Sequence, residues 1–134
     1  MRLRTNWLVV IIGLTIVAAA SILAVNGYED GRSRAKAEAM TGGNVARGRL
    51  AFARYGCGGC HRLSGVAPAN GRVGPPLDGI GARATIAGRL ANEPGNLERW
   101  IQNPRKVTPG TAMPDLGVTP ADARDLAAFL YSRT

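Results

Sequence analysis

Residues Cys57-Gly58-Gly59-Cys60-His61 contain both cysteines and the only histidine of the 134-residue chain. A C-x-x-C-H sequence is typical of covalent attachment of a c-type haem, in which two thiols add to the porphyrin vinyl groups and the histidine ligates the iron. Two intervening residues allow both sulfurs and the imidazole to face one macrocycle. The stretch therefore predicts one covalently bound haem c, held by Cys57, Cys60 and His61.

Three other interpretations of the two cysteines remain open. A thioredoxin-like redox pair would lie beside a strand-helix-strand pattern, whereas the segment before Cys57 is predicted to be helical. A structural zinc site would need a fourth ligand, and the sequence has no further Cys or His. A disulfide between Cys57 and Cys60 would close a small ring and stabilise the fold little. Haem attachment is favoured over all three.

Met113 is the predicted second ligand of the haem iron. His61 has no second histidine to accompany it, Met1 precedes the apolar segment, and Met40 lies in a polar stretch. Met113 lies in the proline-containing loop 109–114, which prolines hold extended. A methionine there could also fill a gap in the core. Ligation by His and Met leaves no open position on the iron and raises its reduction potential, which suits electron transfer.

The 19 residues from Trp7 to Val25 are uncharged and mostly apolar. As a helix they would be about 28 Å long, which is close to the hydrocarbon thickness of a bilayer. Arg2 and Arg4 precede them, which favours a cytoplasmic N-terminus and export of the residues after Val25. Residues 1–26 are therefore expected to form an uncleaved membrane anchor. A cleaved signal peptide is the alternative, because Ala18-Ala19-Ala20 resembles a small-residue cleavage site.

The remaining residues divide into a polar stretch and one small domain. Residues 27–43 are rich in glycine and charged side chains, and they are predicted to form a flexible tether with a helical stretch near residues 34–40. Residues 44–134 suffice for one domain, which excludes a large multi-domain enzyme. They contain no strand pattern of useful length. We expect an all-α fold of three to five short helices around the haem, preceded by one transmembrane helix.

Three helices are predicted in this domain, from Asn44 to about Arg54, from about Asn96 to Gln102, and from Pro120 onward. Asn44 and Thr119 are the expected N-caps of the first and last. On the first helix, Ala46, Leu50 and Ala53 form one apolar stripe.

Residues from about Asn44 to Tyr131 resemble a class I cytochrome c. In that family a glycine and an aromatic residue on the first helix pack against a leucine and an aromatic residue on the last. The matching residues are Gly48, Phe52, Leu126 and Phe129. Residues 87–131 are similar to the cytochrome c domains fused to subunit II of some bacterial haem-copper oxidases.

The resemblance also implies roles for four further residues. The family's Gly-Pro-x-Leu turn is matched around Pro75, whose carbonyl is expected to accept the Nδ1 hydrogen of His61 and so raise the basicity of the ring. Thr111 and Arg83 are the implied partners of the haem propionates, and the alternative for Arg83 is a solvated arginine at the surface. The resemblance also places Trp100 at the haem, in a position that is often tyrosine in mitochondrial relatives. Unlike a phenol, an indole can donate but not accept a hydrogen bond.

The chain has 17 Lys and Arg against 9 Asp and Glu, a net charge of +8. Residues 44–134 hold 12 basic and 6 acidic residues, so the domain is +6, or about +4 with two haem propionates. Four basic residues are expected near the haem edge, where they would steer the domain to an acidic partner: Arg62, Arg72, Arg105 and Lys106. The alternative is that the positive charge is scattered over the surface and serves solubility. Nucleic acid is not an expected partner of an exported domain, and no small-molecule substrate is expected.

These observations predict a single-pass protein of the cytoplasmic membrane with its haem domain in the periplasm, an electron carrier and not an enzyme. We expect electrons to come from a quinol-oxidising complex or dehydrogenase, and the resemblance implies that they pass to a terminal oxidase. Two alternatives are a permanently bound haem subunit of a respiratory oxidase or dehydrogenase, and a soluble carrier released by cleavage. A third is a ligand-binding haem sensor or peroxidase-like enzyme, which would require Met113 to leave the iron.

Overall fold

A computed structural model describes residues 2–133 of the protein, with side chains from Asn6 onward. The helices are α1 (Arg2–Thr41), α2 (Val45–Arg54), α3 (Pro94–Gln102), α4 (Pro104–Val107) and α5 (Pro120–Tyr131). Two short 3-10 helices, Cys57–Gly59 and Ile80–Ala82, and an antiparallel pair of two-residue strands, β1 (Thr85–Ile86) and β2 (Leu90–Ala91), lie between α2 and α3. The predicted all-α fold is confirmed, with four short helices after α1. The described residues form two compact units, and the boundary between them in the sequence lies between Arg32 and Ser33.

The first unit is helical over its whole described length. Its most apolar 18-residue window has a mean hydropathy of 2.9, and none of that window is buried against protein. The two hydroxyls within the apolar segment bond back to the helix, Thr15 to the Ile12 carbonyl at 2.8 Å and Ser21 to the Val17 carbonyl at 2.9 Å. Such internal pairing is what a lipid environment requires. This helix is long and apolar enough to span a membrane.

Residues 27–43, which were expected to be flexible, are helical as far as Thr41. Within the second unit, Ala37 is only 2% exposed and belongs to the hydrophobic core. The Glu38 carboxylate accepts hydrogen bonds from the Val45 N–H at 2.9 Å and from the Asn44 side chain at 3.1 Å. Tertiary burial and these hydrogen bonds offset the weak helix propensity of the glycine-rich sequence.

Helices α2 and α5 form the centre of the second unit. The Phe52 and Phe129 rings meet edge to face, with centroids 5.7 Å apart and planes at 63°. A Cβ atom at Gly48 would overlap the backbone of Asp125, so the two helices approach as closely as only glycine permits. The packing of Gly48 and Phe52 against α5 that the resemblance implied is thus present.

The predicted apolar stripe of α2 is wrong. Ala46, Leu50 and Ala53 are exposed, Leu50 by 72%, and the opposite face is buried instead. The physical reason is the close approach at Gly48, which selects the face that contacts α5 regardless of where the larger aliphatic side chain lies. Leu50 is left in solvent.

The helix ends obey local rules. The Asn44 side chain accepts a hydrogen bond from the Arg47 N–H, and the Thr119 hydroxyl accepts one from the Asp122 N–H, as predicted for N-caps. Helix α3 begins at Pro94, two residues earlier than predicted, because proline fits the first helical turn. Helix α4 was not predicted, since four residues carry no usable periodicity.

Candidate haem-binding site

A largely apolar cleft of about 490 Å³ lies within the second unit. Aliphatic side chains of α3 and α5 form part of its wall, among them Leu97, Ile101, Leu126 and Leu130. The structure brings all eight predicted site residues to this cleft: Cys57, Cys60, His61, Pro75, Arg83, Trp100, Thr111 and Met113. A volume of this size is typical of a site for a cofactor or other small ligand.

The attachment stretch is a tight turn directly after α2. The Cys57 carbonyl accepts hydrogen bonds from the Cys60 N–H at 3.2 Å and the His61 N–H at 3.0 Å, so the chain folds back on itself. Gly58 is buried, and a Cβ atom there would crowd the Pro68 carbonyl at 2.5 Å. This turn brings both sulfurs and the imidazole to one cleft, as the spacing predicts.

Both cysteines are free thiols and half-buried. Burial raises the pKa of the Cys57 thiol to about 11. A reactive thiol of the disulfide-exchange kind has the opposite shift, a lowered pKa, so the redox-pair interpretation is disfavoured. Among the described residues, no group of three or more His, Cys, Asp or Glu side chains is arranged to hold a metal ion.

His61 is oriented by one hydrogen bond and one glycine. Its Nδ1 lies 2.8 Å from the Pro75 carbonyl oxygen. A carbonyl can only accept, so Nδ1 carries the hydrogen and Nε2 keeps its lone pair for a metal. A Cβ atom at Gly74 would overlap the imidazole ring, so this position accommodates only glycine. The Gly-Pro turn therefore fixes both the tautomer and the plane of the ring.

Arg83 lines the cleft, but its guanidinium also donates hydrogen bonds to the Pro76 carbonyl and, at 3.2 Å, to the Asp78 carbonyl. It thereby braces the loop that carries Pro75. The Asn92 side chain in turn donates to the Arg83 carbonyl at 2.8 Å. Sequence reasoning missed Asn92, because its role depends on contacts that form only in the folded chain. The propionate role of Arg83 stays a prediction.

Met113 is half-buried and lines the cleft from the loop 108–114. Its N–H donates to the Thr111 hydroxyl oxygen at 3.3 Å, which shapes the loop around the methionine. Trp100, on α3, is also half-buried at the cleft. Sequence reasoning missed Thr108, a second threonine of this loop that lines the cleft.

These groups fit a haem c. Two thiols suit thioether bonds, an imidazole with a free Nε2 and a thioether sulfur suit iron, and apolar walls suit a porphyrin. Gly74 leaves room for an imidazole that a larger residue would displace.

Comparison with known proteins agrees with this fit. The family model for cytochrome c matches residues 45–134. A cytochrome c of Cochliobolus lunatus is 31% identical over 121 residues, covering 81% of this chain and 98% of that protein. A cytochrome c oxidase subunit 2 of Alkalihalophilus pseudofirmus is 37% identical over 87 residues, covering 64% of this chain. The chain spans only 25% of that subunit's length. No solved structure matches the chain at a significant level.

Proposed function

The chain belongs to the cytochrome c family, and from this membership we propose that it carries electrons at the periplasmic face of the cytoplasmic membrane, from a quinol-oxidising complex or dehydrogenase to a terminal oxidase. Members of the family are electron carriers that hold one covalently bound haem c. When bound, the haem supplies an iron that alternates between the ferrous and ferric states. The chain's own residues hold, orient and shield that iron.

The observation that carries the proposal is the set of donors gathered at one apolar cleft. We assign Cys57 and Cys60 to the thioether bonds that would attach the haem, and His61 and Met113 to ligation of its iron. Two ligands from the chain would leave no position on the iron for a substrate, which would favour outer-sphere electron transfer. The Pro75 carbonyl holds the Nδ1 hydrogen of His61 and so makes Nε2 a better ligand.

The similarity to oxidase subunits supports a terminal oxidase as electron acceptor. Charge supports a partner with an acidic surface, because four basic residues next to cleft-forming segments are exposed: Arg62, Arg72, Arg105 and Lys106. A basic rim of this kind would favour encounter with an acidic partner surface and raise the association rate at low salt.

Helix α1 supports attachment to a lipid bilayer, since its apolar segment could span one. Arg2 and Arg4 precede that segment and favour a cytoplasmic N-terminus, which would place residues 44–134 in the periplasm. We propose the same domain limits as the sequence predicts: an anchor over residues 1–26, a connection over 27–43 and the haem domain over 44–134. The connection would keep the haem domain close to partners in the same membrane.

The test is a reduced-minus-oxidised visible spectrum of the protein purified from washed membranes in mild detergent, with co-purifying chains identified. A c-type signal without other haems supports a tethered carrier. Stoichiometric a- or b-type haem would instead indicate a fixed subunit of a larger complex. Recovery in the soluble fraction would indicate a cleaved leader, and a preparation without any c-type signal would refute the proposal. The double variant Cys57→Ser/Cys60→Ser is the matched control that must lose the signal.

A further inference from the structure

Thr108 has a buried side-chain hydroxyl at the wall of the haem cleft. Among the side-chain nitrogen and oxygen atoms that the structure describes, its Oγ1 alone is buried with no hydrogen-bond partner. Thr108 also lines the cleft. Leaving such a group unpaired costs about 1–3 kcal/mol, so folded proteins nearly always provide a partner.

Three other polar side chains at this cleft have protein partners. The Thr111 hydroxyl accepts from the Met113 N–H, and the Arg83 guanidinium donates to two backbone carbonyls. The Tyr55 hydroxyl donates to Asp122 at 2.8 Å. Thr108 differs because the described protein atoms offer it no partner.

A haem that fills this cleft brings two kinds of surface. Its porphyrin ring is apolar and meets the aliphatic wall, whereas its two propionate carboxylates can only accept hydrogen bonds when ionised. The propionates would therefore supply the hydrogen-bond acceptor that the protein does not offer to the Thr108 hydroxyl. Hydrogen bonds to a charged group are also stronger than those between neutral groups.

We propose that the Thr108 hydroxyl donates a hydrogen bond to a haem propionate and thereby raises the reduction potential of the iron. The donor draws negative charge of the carboxylate away from the iron. Without it, that charge would act more fully on the iron and stabilise the ferric state. The inference deepens the proposed haem site and rests on that site holding the haem. It adds Thr108 to the two propionate partners that the resemblance implied, Thr111 and Arg83.

The test compares Thr108→Val, which keeps the shape of the side chain and removes the hydroxyl, with Thr108→Ser, which keeps the hydroxyl. Both are prepared as the full-length holoprotein. The readouts are the midpoint potential and the propionate bending band in the resonance Raman spectrum, a vibration that responds to hydrogen bonding of the carboxylate. We expect Thr108→Val to lower the potential and shift the band, and Thr108→Ser to leave both near their wild-type values.

Two outcomes would overturn the proposal. If Thr108→Val leaves the potential and the band unchanged, the hydroxyl is paired elsewhere, for example with a buried water. If Val and Ser move both readouts equally, the threonine acts through packing of its methyl group. The c-type visible spectrum and the thermal midpoint are recorded alongside. If a variant keeps the c-type spectrum, its changes in potential and band report on Thr108 alone. If the wild-type protein itself shows no c-type spectrum, the proposed haem site is refuted.

Discussion

As the proposed sulfur ligand of the iron, Met113 should determine much of the reduction potential of the site. Replacing it with alanine should lower the midpoint potential by a sizeable part of the roughly 0.8 V range that axial ligation spans in haem proteins. The weak near-infrared absorption of a Met-ligated ferric haem should disappear. Redox titration and an absorption spectrum of the oxidised protein measure these changes.

Met40 provides the matched control for that experiment, since it is exposed on α1 and outside the cleft lining. Met40→Leu should keep both the potential and the near-infrared band. A Met113→Ala protein with an unchanged band would show that another group ligates the iron, and the sensor or peroxidase-like interpretation would then gain support.

Gly74 is the residue that leaves room for the His61 imidazole. Alanine at this position should displace the ring and its hydrogen bond to Pro75, because a Cβ atom would overlap the ring atoms. We expect a clear fall in the yield of holoprotein and a loss of about 1–3 kcal/mol in stability, the usual range for overpacking. Haem content per chain and thermal unfolding are the measurements.

Gly95→Ala is the corresponding control, because Gly95 lies in α3 with nothing within 4 Å of the added Cβ. This change should be neutral or slightly stabilising. Equal haem loss in both variants would mean that the space around His61 is not the limiting feature.

At the scale of elements, Asp125 of α5 ties that helix to the start of α2. Its carboxylate accepts hydrogen bonds from the Asn44 N–H at 2.7 Å and from the Arg47 guanidinium at 2.6 and 3.0 Å. The hydrogen bond from Arg47 is the largest cause that holds the pKa of Asp125 below its usual value. The ionised form is thus favoured in the folded state.

The pH dependence of stability reflects this lowered pKa. A carboxyl with a depressed folded pKa stabilises the fold at pH above its unfolded value of about 3.9, and that contribution is lost as the pH falls toward the folded pKa. Asp125→Asn should therefore lower stability at pH 7 by about 1–2 kcal/mol, a modest figure because Arg47 is largely exposed. The difference in stability between Asp125→Asn and the wild-type protein should narrow below about pH 4. Thermal melts across pH test this, with exposed Asp30→Asn as control; a gap independent of pH would contradict it.

The elements also show which features a sequence can reveal. Asn44 and Thr119 were predictable as caps, because capping depends on neighbours three residues away. The buried face of α2 was not predictable from its apolar pattern, because Gly48 has no side chain for such a pattern to record. Only the resemblance implied that Gly48 and Phe52 pack against α5. Thr108 was missed for a related reason: an unpaired hydroxyl is recognisable only when every surrounding atom is placed.

At the scale of the whole molecule, the basic rim should govern how fast the protein meets its partner. Reversing Arg105 and Lys106 to glutamate should slow oxygen consumption by membranes that contain the protein, most strongly at low ionic strength. The charge-matched control reverses Arg34 and Lys36, which are exposed on α1 and lie far along the chain from every residue that lines the cleft. Slowing that is equal at low and high salt would argue against electrostatic steering.

The second compact unit begins before the predicted start of the haem domain. The sequence places the start of the haem domain at residue 44, whereas the compact unit begins at Ser33. A chain that begins at Ser33, exported by a cleavable signal, should carry haem in solution without detergent. A chain that begins at Asn44 loses burial of Ala37 and the hydrogen bonds of Glu38. Those contacts amount to about 2 kcal/mol, so its thermal midpoint should be lower by on the order of 10 °C. Equal midpoints would show that residues 33–43 serve only to connect the two units.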